Sequence, residues 1–325
     1  MTDRMDRGFL IRVAIVGAAA LVIVLLGVSM SSYHLGLGAR VGLYFTAILG
    51  LNILLGYTGQ ISIGHGAFMA IGGYTTAILS HYHHWNLLAT LPAAFLICFV
   101  FGVLVGLPAL RFRGVYLALA TFALAVSVPQ LPLKWSKWTG GSNGLRTATT
   151  PTNAWVYWTA WACAGIGFVA AWLLLRGRIG RAFRAIRDSE IAAASSGISL
   201  PIYKTFAFGI SAAYAGVAGS LFVLVTNGYS QPGLFGLVLS LQLLIGAAVA
   251  GLGSLWGTIV GALFIGLLPE ISGSAPIIGN QHGQDVVFGL IVILVMILVP
   301  NGFAGLLRGL DSRFKSAIKS DPTAS

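Results

Sequence analysis

Charge is what this chain most lacks. Of its 325 residues only 8% are Asp, Glu, Lys or Arg, while 57% are hydrophobic. A soluble domain carries charge on roughly a quarter of its residues, so a water-soluble globule is excluded and an integral membrane protein is indicated. Acid is scarcer still: Asp3, Asp6, Asp188, Glu190, Glu270, Asp285, Asp311 and Asp321 are the whole set. None lies in the middle of an apolar segment. Ion-driven carriers usually keep a carboxylate inside the membrane as the coupling site. Its absence weakens a self-sufficient secondary transporter without eliminating it, since some sodium sites use only carbonyls and hydroxyls. No lysine follows a glycine anywhere, so no G-x-x-x-x-G-K-[ST] phosphate loop exists, and a pump built on this chain takes its ATP chemistry from a partner. Cysteine is nearly absent too. Cys98 and Cys163 both sit in apolar segments, which excludes a disulfide framework and leaves two small buried hydrophobes.

What is present is positive charge, +11 in all. Nucleic-acid binding needs a basic face on a soluble surface, whereas here the basic residues stand at the ends of apolar segments, a membrane-topology pattern. With about 20 apolar residues per crossing, ten spans are expected, near 9–29, 39–56, 61–80, 87–107, 114–131, 154–175, 205–225, 236–252, 255–270 and 285–301. The fold expected is therefore all-α, a polytopic membrane helical bundle. The N-terminal apolar run is too long for a cleaved signal core and reads as an uncleaved first span. With the N-terminus inside, one side carries Arg4, Arg7, Arg12, Arg111, Arg113, Arg176, Arg178, Arg181, Arg184, Arg187, Lys204, Arg308, Arg313, Lys315 and Lys319, and the other only Arg40, Lys134, Lys137 and Arg146. That asymmetry puts both termini in the cytoplasm. Trp85, Trp135, Trp138, Trp155 and Trp158 fall at outer span ends and Trp172 near an inner one, as interfacial anchors do.

Three short patterns imitate catalytic or cofactor motifs. "GGSNG" centres a G-x-S-x-G on Ser142, but a nucleophile elbow needs a strand before it and a helix after it, and here it lies in a loop between spans. "HYHH", His81–His84, supplies at most two well-placed metal ligands and reads as a solvated helix end. "GIGFVA", 165–170, lies inside a span with no strand before it. No catalytic residue, metal or cofactor is assigned to this chain.

Glycine marks the unusual stretch. "GYTGQISIGHGAF", 56–68, sets four glycines around Gln60, Ser62 and His65 between runs of Leu, Ile, Ala and Phe. Elsewhere small residues recur four apart, at Gly38 and Gly42, Gly102 and Gly106, and Gly253, Gly257 and Gly261, the spacing of close helix packing in lipid. The density at 56–73 exceeds that need, and each glycine costs about 1 kcal/mol of helix propensity. An interrupted or re-entrant helix is expected at 57–66, tolerable only inside protein or along a wet cavity. Gln60, Ser62 and His65 either bond neighbouring helices or line a solute path.

The long inside loop is "RGRIGRAFRAIRDSEIAAASSGISLPIYK", 176–204. Arg181, Arg184 and Arg187 recur every three residues, with Phe183, Ile186 and Ile191 on a neighbouring arc, as in a short amphipathic helix. Gly197 is the expected stop and Pro201 is expected to prevent resumption. The helix lies either on the anionic leaflet or against a cytoplasmic motor. Ala192, Ala193, Ala194, Ser195 and Ser196 favour the motor, because small residues seat closely on protein and add little membrane affinity.

At these residues a resemblance enters. "GRAFRAIRDSEIAAASSGIS" resembles the coupling-loop motif of bacterial ABC importer permeases. "GYTGQISIGHGAFMAIGGY", "RGVYLALATFALA", "TGGSNGL", "GLGSLWGTIVGALFIGLLPE" and "VPNGFAGLL" resemble the M-type (LivM) permeases of branched-chain amino-acid importers, in order, over roughly 40–307. Departures are Ile191 rather than an acid directly before the alanine pair, as M-type permeases commonly show, Gln242 where relatives often have Glu, Asn143 for Asp, and Ala250 for Gly. The resemblance implies a single permease domain in the bacterial inner membrane, paired with a second homologous permease. It also implies two cytoplasmic ATPases that hold ATP and Mg, and a periplasmic solute-binding protein. Gly180, Arg181, Arg184, Arg187, Asp188, Glu190, Ala192, Ala193 and Gly197 become the ATPase-coupling loop. Gln60, Ser62, His65, Tyr116, Thr121 and Gln242 become candidates for the translocation path. Branched-chain amino acids are the expected cargo, with urea, short amides or aromatic acids as alternatives within the family and an autonomous transporter outside it.

Overall fold

The structure is a computed structural model that describes residues 21–112 and 114–273, with 289–290, 293–294, 297 and 302. The expected span near 9–29 falls partly, and that near 285–301 mostly, outside the described residues. So do the 308–325 tail and Arg4, Arg7, Arg12, Arg113, Arg308, Arg313, Lys315 and Lys319.

The principal helices are α1 Ser32–Asn52, α2 His65–His83, α3 Leu87–Ala109, α4 Val115–Ser127, α5 Asn153–Arg176, α6 Arg178–Asp188, α7 Glu190–Ser195, α8 Leu200–Val225, α9 Leu237–Ala250 and α10 Gly257–Gly273. Among the described residues six helical stretches are long and apolar enough to cross a membrane: Ser32–Tyr57, Leu87–Ala109, Val115–Lys134, Asn153–Arg176, Leu200–Val225 and Pro232–Ala250. The segments expected at 61–80 and 255–270 form α2 and α10, which are not among those six. The chain is thus a multi-pass helical membrane protein. The one departure from all-α among the described residues is a two-residue antiparallel ladder, with Leu145 opposite Ser230 and Arg146 opposite Tyr229.

Helices α1 and α8 form the centre. Both are mostly buried, α8 against α2 and α3, and α1 against α5 and α10, while α3 and α5 turn most of their surface outward. Close approach is made by small residues, since lipid supplies no hydrophobic force between helices. A Cβ on Gly72 would stand 2.0 Å from the Gly216 carbonyl oxygen, and one on Gly219 would stand 2.0 Å from that of Met69, so α2 and α8 touch backbone to backbone. The expected pairs hold on α1 and α3, where Gly38 and Gly42 meet Tyr157 and Ala160 of α5, and Gly102 and Gly106 meet Ala212 and Phe208 of α8. The third set divides. Gly261 seats α10 on the Gly246 carbonyl of α9 and Gly257 opens α10, but Gly253 lies in the turn between them with φ +79° and packs against Gly56 and Arg187 instead.

Two boundaries differ from expectation. Helix α1 begins at Ser32 rather than near 39, because Ser32, His34 and Arg40 lower local hydropathy without breaking hydrogen bonding. Pro201 does not prevent resumption: it occupies the first turn of α8, where its missing N–H costs nothing and its fixed φ suits a helix. The surface at the predicted belt positions agrees with anchoring, with Trp85, Trp135, Trp138 and Trp158 all exposed.

Gly72→Val is expected to destabilise the protein by about 3 kcal/mol through the α2–α8 crossing. Gly165→Ala, with open space around it, should be neutral or gain up to about 1 kcal/mol of helix propensity. Thermal unfolding of the two variants in detergent checks both.

Candidate functional site

The glycine-rich stretch is an interruption, as expected. α1 runs into a π-helical turn, Ile53–Tyr57, and regular helix returns only at His65. Gly59 carries φ +71°, a left-handed backbone that other residues adopt only at a cost. The break frees backbone groups from the helical ladder, and several of them have protein partners. Thr58 Oγ1 donates to Leu54 O at 2.6 Å, and the Gln60 backbone N–H donates to the same oxygen at 3.3 Å. The Ile63 amide donates to Thr121 Oγ1 at 2.9 Å, and the Gly66 amide to Ser240 Oγ at 2.9 Å.

His65 and Ser62 are 1% exposed and belong to one chain of hydrogen bonds. Ser211 Oγ donates to Gly50 O at 2.7 Å, which commits its only proton. Its oxygen therefore accepts from His65 Nε2, 2.7 Å away, and the Nε2–H tautomer is set. Nδ1 is left as an acceptor facing Ser62 Oγ at 3.4 Å, and that oxygen in turn accepts from the Gly64 amide at 3.3 Å. A neutral ring satisfies every group in the chain. Gln60, 8% exposed, uses Nε2 to reach Thr58 Oγ1 at 3.0 Å and the Lys204 carbonyl at 3.4 Å.

Of the six path candidates, Gln60, Ser62, His65 and Thr121 are gathered around the break. Tyr116 is not: it is 71% exposed on the outer flank of α4. Gln242 is half-buried on α9, and its side chain makes no hydrogen bond to the described residues.

Sequence reasoning missed Asn52. It is fully buried, and its amide grips the α9–α10 turn at both ends, with Nδ2 donating to Ser254 O at 2.8 Å and Oδ1 accepting from the Gly253 amide at 2.8 Å. The available signal was an asparagine inside an apolar run with no local partner. A Cβ on Gly56 would lie 2.0 Å from that Oδ1, so glycine there makes room for the grip.

The basic loop is two helices meeting at Ser189, not one. Gly180, Ala182, Phe183 and Ile186 of α6 face inward, while Arg181, Arg184, Arg187 and Asp188 lie on its exposed side. Ser189 is extended and caps α7, its Oγ accepting from the Ala192 amide at 3.3 Å. Because the helix breaks there, Ile191 does not continue the apolar arc of Phe183 and Ile186: it is 80% exposed. Ala193 is buried and Ala192 exposed. The stop at Gly197 is as expected, with φ +79° and the paired bonds Ile198 N to Ala193 O and Gly197 N to Ala194 O, both 3.0 Å, which close orphan carbonyls at a helix end.

This loop is tied to the break at two points, and a third contact ties the loop to itself. Arg187 Nη1 donates to Gly56 O, a carbonyl left free by the interruption. Gln60 holds the Lys204 carbonyl at the start of α8. Lys204 Nζ, largely buried, pairs with Glu190 at 2.5 Å and joins α7 to α8. Arg184 instead donates to Leu175 O at 3.3 Å. The patterns set aside above also have places. His81 Nδ1 lies 2.9 Å from Arg146 O and donates to it. Ser142 is exposed in a turn fixed by Tyr229 Oη, which donates to Asn143 O at 2.5 Å.

Asn52→Ala is expected to cost about 2 kcal/mol, because it leaves a part-buried amide and a part-buried carbonyl without their partner at once. The fall in unfolding temperature relative to wild type measures it.

The sequence profile of the family described as "Branched-chain amino acid transport system / permease component" matches residues 33–298. The high-affinity branched-chain amino acid transport system permease protein LivM of Escherichia coli K12 is 32% identical over 297 residues, covering 82% of this chain and 68% of that protein. LivM of Salmonella typhimurium gives the same values. LivH of Salmonella typhimurium is 26% identical over 293 residues, covering 81% of this chain and 91% of that protein. No solved structure matches the chain.

Proposed function

The chain belongs to the family of branched-chain amino acid transport permeases, and we propose that it is one permease subunit of an ATP-driven importer for branched-chain or related amino acids in a bacterial inner membrane. A second, homologous permease completes the pore; the likeness to both LivM and LivH supports such a pair. The chain itself is not catalytic. Two cytoplasmic ATPases hold ATP and Mg, and a periplasmic binding protein delivers the cargo. In this reading the chain forms a single permease domain of ten segments with both termini in the cytoplasm, which the excess of Lys and Arg on one side supports.

The observation that carries the proposal is the link between loop and break. Arg187 holds Gly56, Gln60 holds Lys204, and Lys204 holds Glu190. A displacement of α6 and α7 therefore acts directly on the irregular backbone at 56–60, beside Ser62, His65 and Thr121. The motor docks on what the loop leaves exposed: Arg181, Asp188, Ile191 and Ala192, with Gly197 at the rim. Gly180 and Ala193 seat the loop on the membrane domain. Arg184, Arg187 and Glu190 transmit its motion through the bonds they make. The path runs past the break on the side open to the second permease, where Tyr116 and Gln242 complete its lining. Ile191 is the anchor, the one large apolar side chain on a short helix of Glu190, alanines and Ser195.

Ile191→Asp is expected to leave the purified chain monodisperse and to lower ATP-driven leucine uptake by the reconstituted complex at least about tenfold, the scale of losing an interface anchor. Wild-type uptake in that variant would remove the docking role. Leucine accumulation by the purified chain alone in liposomes would overturn the importer reading as a whole. Reporter tags at the two ends test the topology: both should resist protease added outside spheroplasts.

A further inference from the structure

A recess of about 400 Å³ opens where α5 ends, lined by Tyr57, Trp172, Leu175, Arg176, Arg184 and the turn from Gly253 to Trp256. Two guanidinium groups wall it. That of Arg176 lies 3.7 Å from the centroid of the Trp172 ring, a stacked position that holds it in place. That of Arg184 spends one donor on Leu175 O and has others to spare. Among the described residues the one ion pair is Lys204 with Glu190, so neither arginine has a carboxylate. Two like charges around one recess repel unless an anion lies between them. The planar forks of arginine match the oxygens of a phosphate.

The surroundings say where that phosphate comes from. Ile166, Val169 and Leu173 of α5 are 72%, 52% and 59% exposed, and with Arg176 they form a stripe at helical spacing. An apolar track thus runs along a membrane-crossing helix and ends at the arginines, with Trp172 and Trp256 beside them, as indoles sit at the headgroup level. We propose that this recess binds the phosphate headgroup of an anionic phospholipid, its acyl chains lying along the exposed face of α5. The lipid would brace the junction of α5 and α6, the hinge from which the basic loop departs.

The test uses the full-length chain in non-ionic detergent and native mass spectrometry with dioleoyl phosphatidylglycerol, dioleoyl phosphatidylcholine or inorganic phosphate. The expected result is retention of phosphatidylglycerol about tenfold over phosphatidylcholine, not displaced by millimolar phosphate. Arg176→Gln with Arg184→Gln should abolish the preference, and Arg181→Gln, outside the recess, should keep it. Equal binding of the two lipids, a preference that survives the double variant, or displacement by phosphate alone would each overturn the assignment. Should the double variant not fold, wild type still decides. Phosphatidylglycerol with brominated acyl chains should quench tryptophan fluorescence more than brominated phosphatidylcholine does, and equal quenching would refute the site.

Discussion

A helix that stops inside a bilayer leaves amides and carbonyls that lipid cannot satisfy, so they must meet protein groups or line a wet cavity. The interruption between Tyr57 and His65 imposes that condition on this molecule, and much of its polar chemistry is the response. Thr58, Gln60, Thr121, Ser240 and Arg187 each satisfy a backbone group at the break or beside it. Ser62, His65 and Ser211 close a second circuit that ends on the Gly50 carbonyl. The polar residues in the stretch and the glycines around them are thus one arrangement. Irregular backbone needs donors and acceptors nearby, and they come near enough only where neighbouring backbones have no side chain between them.

The same condition joins the membrane core to the loop outside it. Gly56 O is an acceptor that a continuous helix would have used itself, and the interruption hands it to Arg187. Lys204 is buried at the start of α8 because Glu190 neutralises it, and removing one partner of such a pair strands the other. Arg187, Gln60 and Lys204 thus join the break and the loop through direct polar contacts.

Much of this organisation was legible in the residues. Span positions from 39 to 270 matched helices because a stretch of about 20 apolar residues has few alternatives in lipid. The interruption at 57–66 and the stop at Gly197 were legible because glycine's conformational cost and freedom are local properties. Ile191 and Pro201 were misjudged for a matching reason. Periodicity carried past Ser189 assumes an unbroken helix, and a proline read only as a terminator hides its preference for a first turn. Asn52, Lys204 with Glu190, and the bond from Arg187 to Gly56 had no local signature, since their partners stand 14 to 202 residues away.

Hydropathy, charge placement and glycine density determined by themselves that the chain crosses a membrane repeatedly, breaks one helix and carries a basic loop. They act within a few residues or along the membrane normal, so no fold is needed to read them. Which helices are central was decided only in three dimensions. Among the six described spans Leu87–Ala109 has the highest mean hydropathy, 2.5, yet only 28% of it is buried, whereas Ser32–Tyr57, at 1.5, is 83% buried. In lipid the most apolar helix suits the outside, and the interior goes to helices whose small and polar residues find partners, which depends on what packs against them.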